Sequence, residues 1–346
     1  MIRVGIQTDL LNSSHASRGV GSYLKNLLYE LKKNKQLEIK ELNSLNDNQE
    51  VDIIHQPFFD LFYPTLKIRG KVPTVVTIHD ITPLLFPMHY PPGIRGRIAL
   101  WQQKQSLKKV SAVITVSQSS KRDIVKYFNI NQDKVYVTYE AAAPHFNKIT
   151  DKKRLNKTKS KYKLPDQYWI DVGEVNWNKN LLGIGQAATE SGINMVFIGK
   201  GFITRDNLNH PELKSFKEFL NKYGDNKRFR FLGFVENNEL VDLYNLATGL
   251  LYPSFYEGFG LPVLEAQACG TLVITSNNSS LPEVGGEGAI YVNPNSVESI
   301  VEGIIRVQGT GYRVQLIEQG LENVKRFSWK ETAAQTCQVY KDVLEK

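Results

Sequence analysis

Two carboxylates that flank a glycine loop carry the first chemical signal in the chain. Glu257 stands just before Gly258 and Gly260, and Glu265 follows about one turn into the next predicted helix. Leu250, Leu251 and Tyr252 end a short apolar run of strand type, and a second such run spans Thr271 to Thr275. Between them Pro262 suits the first helical turn, where its missing N–H is no loss, and Gly270 suits the helix stop. Strand, glycine loop, helix, strand is a βαβ unit whose loop lies at a strand's C-terminal end, where open α/β sheets bind ligands. Amides of Gly258, Phe259, Gly260 and Leu261 at the helix start favour phosphate, and the missing Cβ atoms permit close approach. A carboxylate repels phosphate but accepts hydrogen bonds from sugar hydroxyls, each worth about 1.5–3 kcal/mol when charge-assisted. A loop offering both suits a nucleotide sugar. Solvated glutamates beside an ordinary turn would be the bland alternative. The coincidence of spacing, glycines, proline and flanking strands outweighs it.

The elements around this loop alternate. Strands are predicted over 2–7, 51–55, 74–78, 112–116 and 135–137, then over 168–172, 194–198 and 228–233. Helices are predicted from Ser22 to about Lys33, over 92–109, 119–128, 237–246, 297–307, 312–325 and 329–345. Such alternation gives parallel sheets with helices on both faces. The polar stretch 12–21, with Gly19 and Gly21 before a Ser22 cap, can form a phosphate cradle, although two glycines alone are a weak sign. His79 ends a strand, where it serves either a ligand or the structure. In 92–109, Ile94, Ile98, Trp101 and Leu107 interleave with Arg95, Arg97, Lys104, Lys108 and Lys109. That pattern fits a membrane-surface helix or a helix packing its apolar face on a sheet. Lys121 and Arg122 oppose the dipole at a helix start, which points to a nearby anion.

With 346 residues, the chain suits two domains of about 150–170. Hydrophobic content of 41% and charged content of 23% are those of an ordinary globular protein. Cys269 and Cys337 have no metal or disulfide spacing and read as buried free thiols. No apolar run is long enough to span a bilayer, and the chain opens directly on a strand, which reads as cytoplasmic. The net charge of +8 is uneven: 27 Lys and Arg face 13 Asp and Glu up to Lys163, against 16 and 22 beyond it. A basic first half favours an anionic partner. No nucleic-acid motif is present, so the expected partner is an anionic membrane surface or a phospholipid-linked acceptor. The basic segment 148–163 reads as the interdomain linker, partly solvated charge.

The nine residues from Glu257 to Glu265, E-G-F-G-L-P-V-L-E, resemble the E-x7-E signature of retaining glycosyltransferases of family 4, and S-S-L-P-E-V from Ser279 to Val284 also matches. The resemblance covers nearly the whole chain. It implies the GT-B fold: two Rossmann-like doubly wound domains facing a cleft. Residues 1–163 would form the acceptor side, with the last helix, 329–346, packing back on it; residues 164–328 would bind the nucleotide sugar. It also implies roles. Glu265 would hold the ribose, Glu257 the transferred sugar, Lys179 the leaving diphosphate, and His79 the sugar from the opposite domain. The Val235 backbone would meet the base, and Gly19 and Gly21 would face donor phosphate and acceptor. The family pattern has an arginine where this chain has Glu174, so one of two expected cations is missing. No D-x-D triplet occurs, so the resemblance implies transfer without a metal or other cofactor. The segments from His79 and from Glu140 to Phe146 look mannosyltransferase-like. They favour mannose from GDP-mannose over a UDP-sugar, moved to a glycan or lipid-linked acceptor in cell-surface polysaccharide synthesis, by an enzyme peripheral at the inner membrane face. A non-catalytic nucleotide-sugar-binding subunit, or an epimerase or hydrolase on the same fold, would share these features.

Overall fold

The structure is a computed structural model that describes residues 1–12, 19–43, 50–68, 70–204, 208–307 and 310–345. The chain forms two compact units, Met1–Ala141 with Phe327–Lys346, and Ala142–Arg326. Each is built on a six-stranded, all-parallel sheet.

In the first unit the strands are β1 (Ile2–Gln7), β2 (Leu37–Leu42), β3 (Ile53–Gln56), β4 (Thr74–Thr77), β5 (Ala112–Thr115) and β6 (Val135–Val137), in the order β2-β1-β3-β4-β5-β6. β3, β4 and β5 are buried along their whole length and β1 from Val4 to Ile6, as strands covered by helices on both faces must be. β2 escaped the sequence reading because LEIKEL, an edge strand, alternates polar and apolar residues and carries no continuous run. The helices are α1 (Gly19–Leu31), α2 (Thr82–Leu85), α3 (Gly93–Leu107) and α4 (Gln118–Phe128). Helix α1 starts three residues earlier than expected, so Gly19 and Gly21 lie in its first turn and Ser22 is no cap. The loop residues 13–18 that precede them lie outside the described residues. Ser117 does cap α4, accepting from the Ser120 N–H at 3.0 Å.

In the second unit the strands are β7 (Trp169–Val172), β8 (Met195–Ile198), β9 (Phe229–Leu232), β10 (Gly249–Tyr252), β11 (Leu272–Ser276) and β12 (Ile290–Val292), ordered β12-β11-β10-β7-β8-β9. The chain runs outward from β7 through β9, then returns to β10 on the other side of β7. That reversal makes β7 and β10 the topological switch point, the place where the loops diverge and leave a crevice. The helices are α5 (Lys152–Lys161), α6 (Leu181–Glu190), α7 (Lys214–Tyr223), α8 (Asn237–Leu246), α9 (Leu261–Ala268), α10 (Leu281–Gly285), α11 (Val297–Arg306) and α12 (Thr310–Val324). Phe197, Phe202, Phe216, Phe219 and Phe229 fill one side of the sheet.

The basic segment expected to be a linker is α5, and it belongs to the second unit. Asp151 caps it by accepting from the N–H groups of Lys153 and Arg154. Its exposed charges then meet α8: Arg154 pairs with Asp242 at 2.6 Å, the Thr158 hydroxyl donates to Asp242 at 2.7 Å, and Lys161 pairs with Glu239. The sequence showed the charges but not the acidic helix that receives them.

The last helix, α13 (Trp329–Leu344), packs beside α1 in the first unit. The Tyr340 hydroxyl lies 2.7 Å from His55 Nδ1, and His55 Nε2 lies 2.8 Å from the Thr77 hydroxyl. Burial lowers the His55 pKa to about 3, so the ring is a neutral bridge between helix and sheet. Cys269 and Cys337 are buried and free, as the spacing implied.

One close approach fixes the β7 loop. A Cβ on Gly199, just after β8, would sit 2.0 Å from the Gly173 carbonyl oxygen. Both groups are backbone, so neither can rotate away. Gly199→Ala is therefore expected to cost more than about 2 kcal/mol. Urea unfolding measures this, and a midpoint equal to wild type would overturn it.

Candidate active site

The crevice at the switch point is lined by two loops. The first leads from β7 through Gly173 and a short turn, Trp177–Lys179, into α6. The second runs from β10 through 253–260 into α9. Neither has ladder partners, so its backbone groups need other ones. For the carbonyls of the second loop these are side chains. The carbonyl of Tyr252 accepts from Thr275, that of Pro253 from Asn180, that of Ser254 from Ser276, that of Phe255 from Asn278, that of Tyr256 from Asn178 and that of Glu257 from Ser280. These bonds span 2.6–3.0 Å and cover every carbonyl from 252 to 257. Ser280 also donates to the Phe259 carbonyl at 2.7 Å, and the Glu257 N–H donates to the Ser279 hydroxyl at 3.2 Å. Trp177 stacks on Phe255 with ring centroids 4.8 Å apart.

Asn180 ties the two loops together. It sits in the left-handed region at φ 55°, which asparagine tolerates better than most residues. From there its amide donates to the carbonyls of Pro253 and Pro294, while its oxygen accepts from the Gly183 N–H and caps α6.

This scaffold holds a buried ion pair. Lys179 Nζ lies 2.7 Å from Glu257 Oε1 and 2.6 Å from the Tyr252 hydroxyl, and the Lys179 and Glu257 side chains are 13% and 11% exposed. Burial alone would lower the lysine pKa, but the Glu257 charge outweighs it and the ammonium is held well above its ordinary range. Burial raises the Tyr252 hydroxyl, and Glu257 raises it further. A third acid, Asp171 of β7, is buried with one carboxylate oxygen, Oδ1, lacking any hydrogen-bond partner. Its pKa is raised to about 7, chiefly by burial, with Lys179 pulling it down and Glu257 pushing it up. At neutral pH the crevice thus holds one firm cation, one paired carboxylate and one carboxyl on the edge of ionising.

Glu265 is set apart from this pair. It lies on α9 and accepts from the buried Tyr244 hydroxyl at 3.0 Å. Helix α9 begins after Gly260 at φ 105°, where a Cβ would also meet Leu281 at 2.8 Å, so that position requires glycine. Among the described residues no group of three or more His, Cys, Asp and Glu side chains is placed to hold a metal ion.

In the first unit, His79 follows β4. Its Nδ1 is 3.1 Å from Oε1 of the buried Glu140, its ring meets Tyr23 edge-on at 4.7 Å, and its buried Nε2 has no partner. An ionised Glu140 can only accept, so it fixes the proton of a neutral ring on Nδ1 and leaves Nε2 as an acceptor.

Comparison with known proteins decides the family. The model of the family described as Glycosyl transferases group 1 matches residues 152–321, and that of Glycosyltransferase Family 4 matches residues 16–142. The O-antigen chain mannosyltransferase B of Escherichia coli is 32% identical over 77% of this chain and 70% of its own length. The chain belongs to the family 4 glycosyltransferases. A serotype-specific mannosyltransferase, WbdA of E. coli, is 28% identical over 81% of this chain, but the chain spans only about a third of its length (34%). Sucrose-phosphate synthase from Thermosynechococcus elongatus superposes over both whole chains with a TM-score of 0.78 at 16% identity. HepE from Anabaena, solved in complex with UDP-glucose, does so with a TM-score of 0.73 at 15% identity, over 99% of this chain and 100% of that one. The fold of this glycosyltransferase is GT-B.

For the glycosyltransferase the sequence marked Lys179 and Glu257 separately, and the structure joins them. It separates Glu257 from Glu265, which the sequence presented as a matched pair. Phe259 is buried, Leu261 opens α9, and Val235 is buried in the segment after β9. Gly19 has open space where a Cβ would stand. Glu174 is exposed on the β7 loop. Asp171 was not singled out, and Tyr252 and Glu140 marked only the end of a strand and the start of a segment, with no role of their own. Tyr252 and Asp171 look like ordinary strand residues, and only the fold brings them to Lys179. For Asp171 one signal existed: an acid inside the apolar run WIDV.

Asp171 makes stability depend on pH. A folded pKa near 7 against an ordinary 3.8 means that the folded state holds a proton the unfolded state has released. Stability from this group therefore falls as pH rises through that window, by at most about 1.4 kcal/mol per pH unit. The stability advantage of Asp171→Asn over wild type should grow between about pH 4 and pH 7 and level off above. Denaturant unfolding across this range checks it, and a difference that does not change with pH would overturn the assignment.

Proposed function

We propose that this glycosyltransferase moves mannose from a nucleotide sugar, GDP-mannose rather than a UDP-sugar, to a glycan or lipid-linked acceptor in cell-surface polysaccharide synthesis, with retention and without a metal. The observation that carries the transfer is the buried Lys179–Glu257 pair held at the switch point by a fully clamped loop. The E. coli relative is named as an O-antigen chain mannosyltransferase, which supports the sugar and the pathway class. HepE holds UDP-glucose, so the fold accommodates more than one base.

In this reading the donor diphosphate takes over the Lys179 ammonium, and Glu257, released, accepts from hydroxyls of the transferred sugar. Glu265 accepts from the ribose, its position fixed by Tyr244. His79 accepts a hydrogen bond from a sugar hydroxyl at Nε2. The bond from the sugar anomeric carbon to the diphosphate oxygen breaks. A bond to the acceptor oxygen forms on the same face, and the acceptor proton passes to the leaving phosphate. Lys179 stabilises the charge that develops there. A lipid-linked acceptor places the enzyme against an anionic membrane face, as its basic first half favours.

The exposed carboxylate of Glu174, where the family pattern has a cation, favours a second reading: a nucleotide-sugar-binding subunit without turnover. Donor binding and transfer, measured together without metal, separate the two. Glu265→Ala should weaken GDP-mannose binding by roughly ten- to hundredfold, from the loss of charge-assisted bonds. Lys179→Ala should lower kcat by roughly 10²–10³ with a smaller change in KM. Thermal shift and isothermal titration give the first value, and transfer of labelled mannose gives the second. Unchanged donor affinity in Glu265→Ala, or a Lys179→Ala effect confined to KM, would overturn the roles given. Tight donor binding with no transfer to any acceptor would establish the subunit instead.

A further inference from the structure

Helix α3 is turned opposite to the usual sense. Its buried side is formed by Gly96, Ala99, Gln103 and Leu107, while Ile94, Ile98 and Trp101 are 80%, 54% and 63% exposed. Those three are spaced by four and three residues, so they form one ridge on the outer face. The small inner residues allow the helix to lie close to the chain beneath: a Cβ on Gly96 would come within 3.3 Å of Phe62. Gln103 fixes that segment, donating to the carbonyls of Asp60 and Tyr63 and accepting from the Leu66 N–H. The segment thereby presents Tyr63, itself exposed, and the strongly exposed Met88 precedes the helix.

The stretch of chain that carries this ridge has charge of one sign. From Ile81 to Arg122 the sequence contains no Asp or Glu and seven Lys and Arg. Arg95, Arg97, Lys108 and Lys109 are exposed on α3 or just beyond its end. Asp60, the acid nearest in the packed segment, spends a carboxylate oxygen on the N–H groups of Phe62 and Tyr63. No helix of the described residues is long and apolar enough to cross a membrane.

We infer that the α3 ridge is a docking face for an anionic lipid surface: Ile94, Ile98 and Trp101 enter the headgroup boundary and the flanking arginines and lysines meet lipid phosphates. Apolar ridge plus basic flanks is the pattern of an interfacial helix, and tryptophan favours that depth. A second copy of the chain fits less well, because a two-fold contact would set this cationic patch against itself. The inference deepens the membrane contact proposed above by naming its surface. It is tested without donor or acceptor, so its failure and that of the transfer reading are told apart.

The test uses the full chain with vesicles of phosphatidylcholine alone or enriched in phosphatidylglycerol. Flotation should show at least roughly tenfold tighter binding to the anionic vesicles, weakening as salt is raised. Ile98→Asp, Trp101→Asp and the pair Arg95→Glu with Arg97→Glu should each reduce that binding by roughly tenfold or more, with thermal unfolding unchanged because the side chains are exposed. The blue shift of tryptophan emission on anionic vesicles should disappear in Trp101→Phe while binding persists. Equal binding to both vesicle types, wild-type binding by the charged variants, or an oligomer that the ridge variants abolish without any vesicle binding would overturn the inference.

Discussion

A buried ammonium cannot stand alone, and much of the second unit is arranged around that constraint. Taking the Lys179 charge out of water costs several kcal/mol unless a partner and further acceptors receive it. Glu257 and the Tyr252 hydroxyl do so at 2.7 and 2.6 Å. The partner arrives on a loop 78 residues away in sequence, so the pair exists only if that loop is rigid. Its rigidity comes from six consecutive carbonyls each receiving a side-chain donor. The donors themselves sit at the end of β11 and on the neighbouring loops, including Asn180 beside Lys179. Charge, clamp and helix cap form one closed set.

The same constraint explains why the pair suits exchange. A ligand-free site that kept Lys179 unpaired would be unstable, and one that paired it permanently would be inert toward anions. Glu257 meets Lys179 through one oxygen, Oε1, at 2.7 Å, so in the reading proposed above a diphosphate with two charges displaces it. In that reading the displaced carboxylate is then free to receive the sugar hydroxyls. Asp171 sharpens this balance. When it ionises near neutral pH, it adds a second negative charge toward the same ammonium, with no hydrogen bond to hold that charge at Oδ1.

Local rules made much of this legible in the sequence. The βαβ unit around Glu257, the strand β1 and the helix α8 follow from apolar periodicity, glycines and proline, all of which act within a few residues. What stayed hidden depends on contacts across the fold. Two glutamates that looked alike part company because one faces Lys179 and the other Tyr244. Charges read as a linker are a helix because Asp242 and Glu239 of α8 receive them. Glu140 acquires meaning only where β4 and the segment after β6 bring it to His79. Gly19 and Gly21 read as loop because glycine signals turns more often than helix starts.

Helix α3 shows the limit in another form. Periodicity reports that Ile94, Ile98 and Trp101 share a face, but it cannot report which way that face turns. The deciding information is in the small residues. A helix must approach the chain beneath it closely to bury Gly96 and Ala99, and a buried Gln103 with four hydrogen bonds to the 60–66 segment leaves no freedom to roll. Rolling the helix inward would bury Arg97 and Lys108 along with the apolar ridge and would break those bonds. The outward ridge is therefore the cheaper arrangement for this sequence, and the absence of acidic residues from Ile81 to Arg122 keeps its surroundings cationic. An apolar ridge on a basic field is costly to leave in water and gains on both counts at an anionic interface.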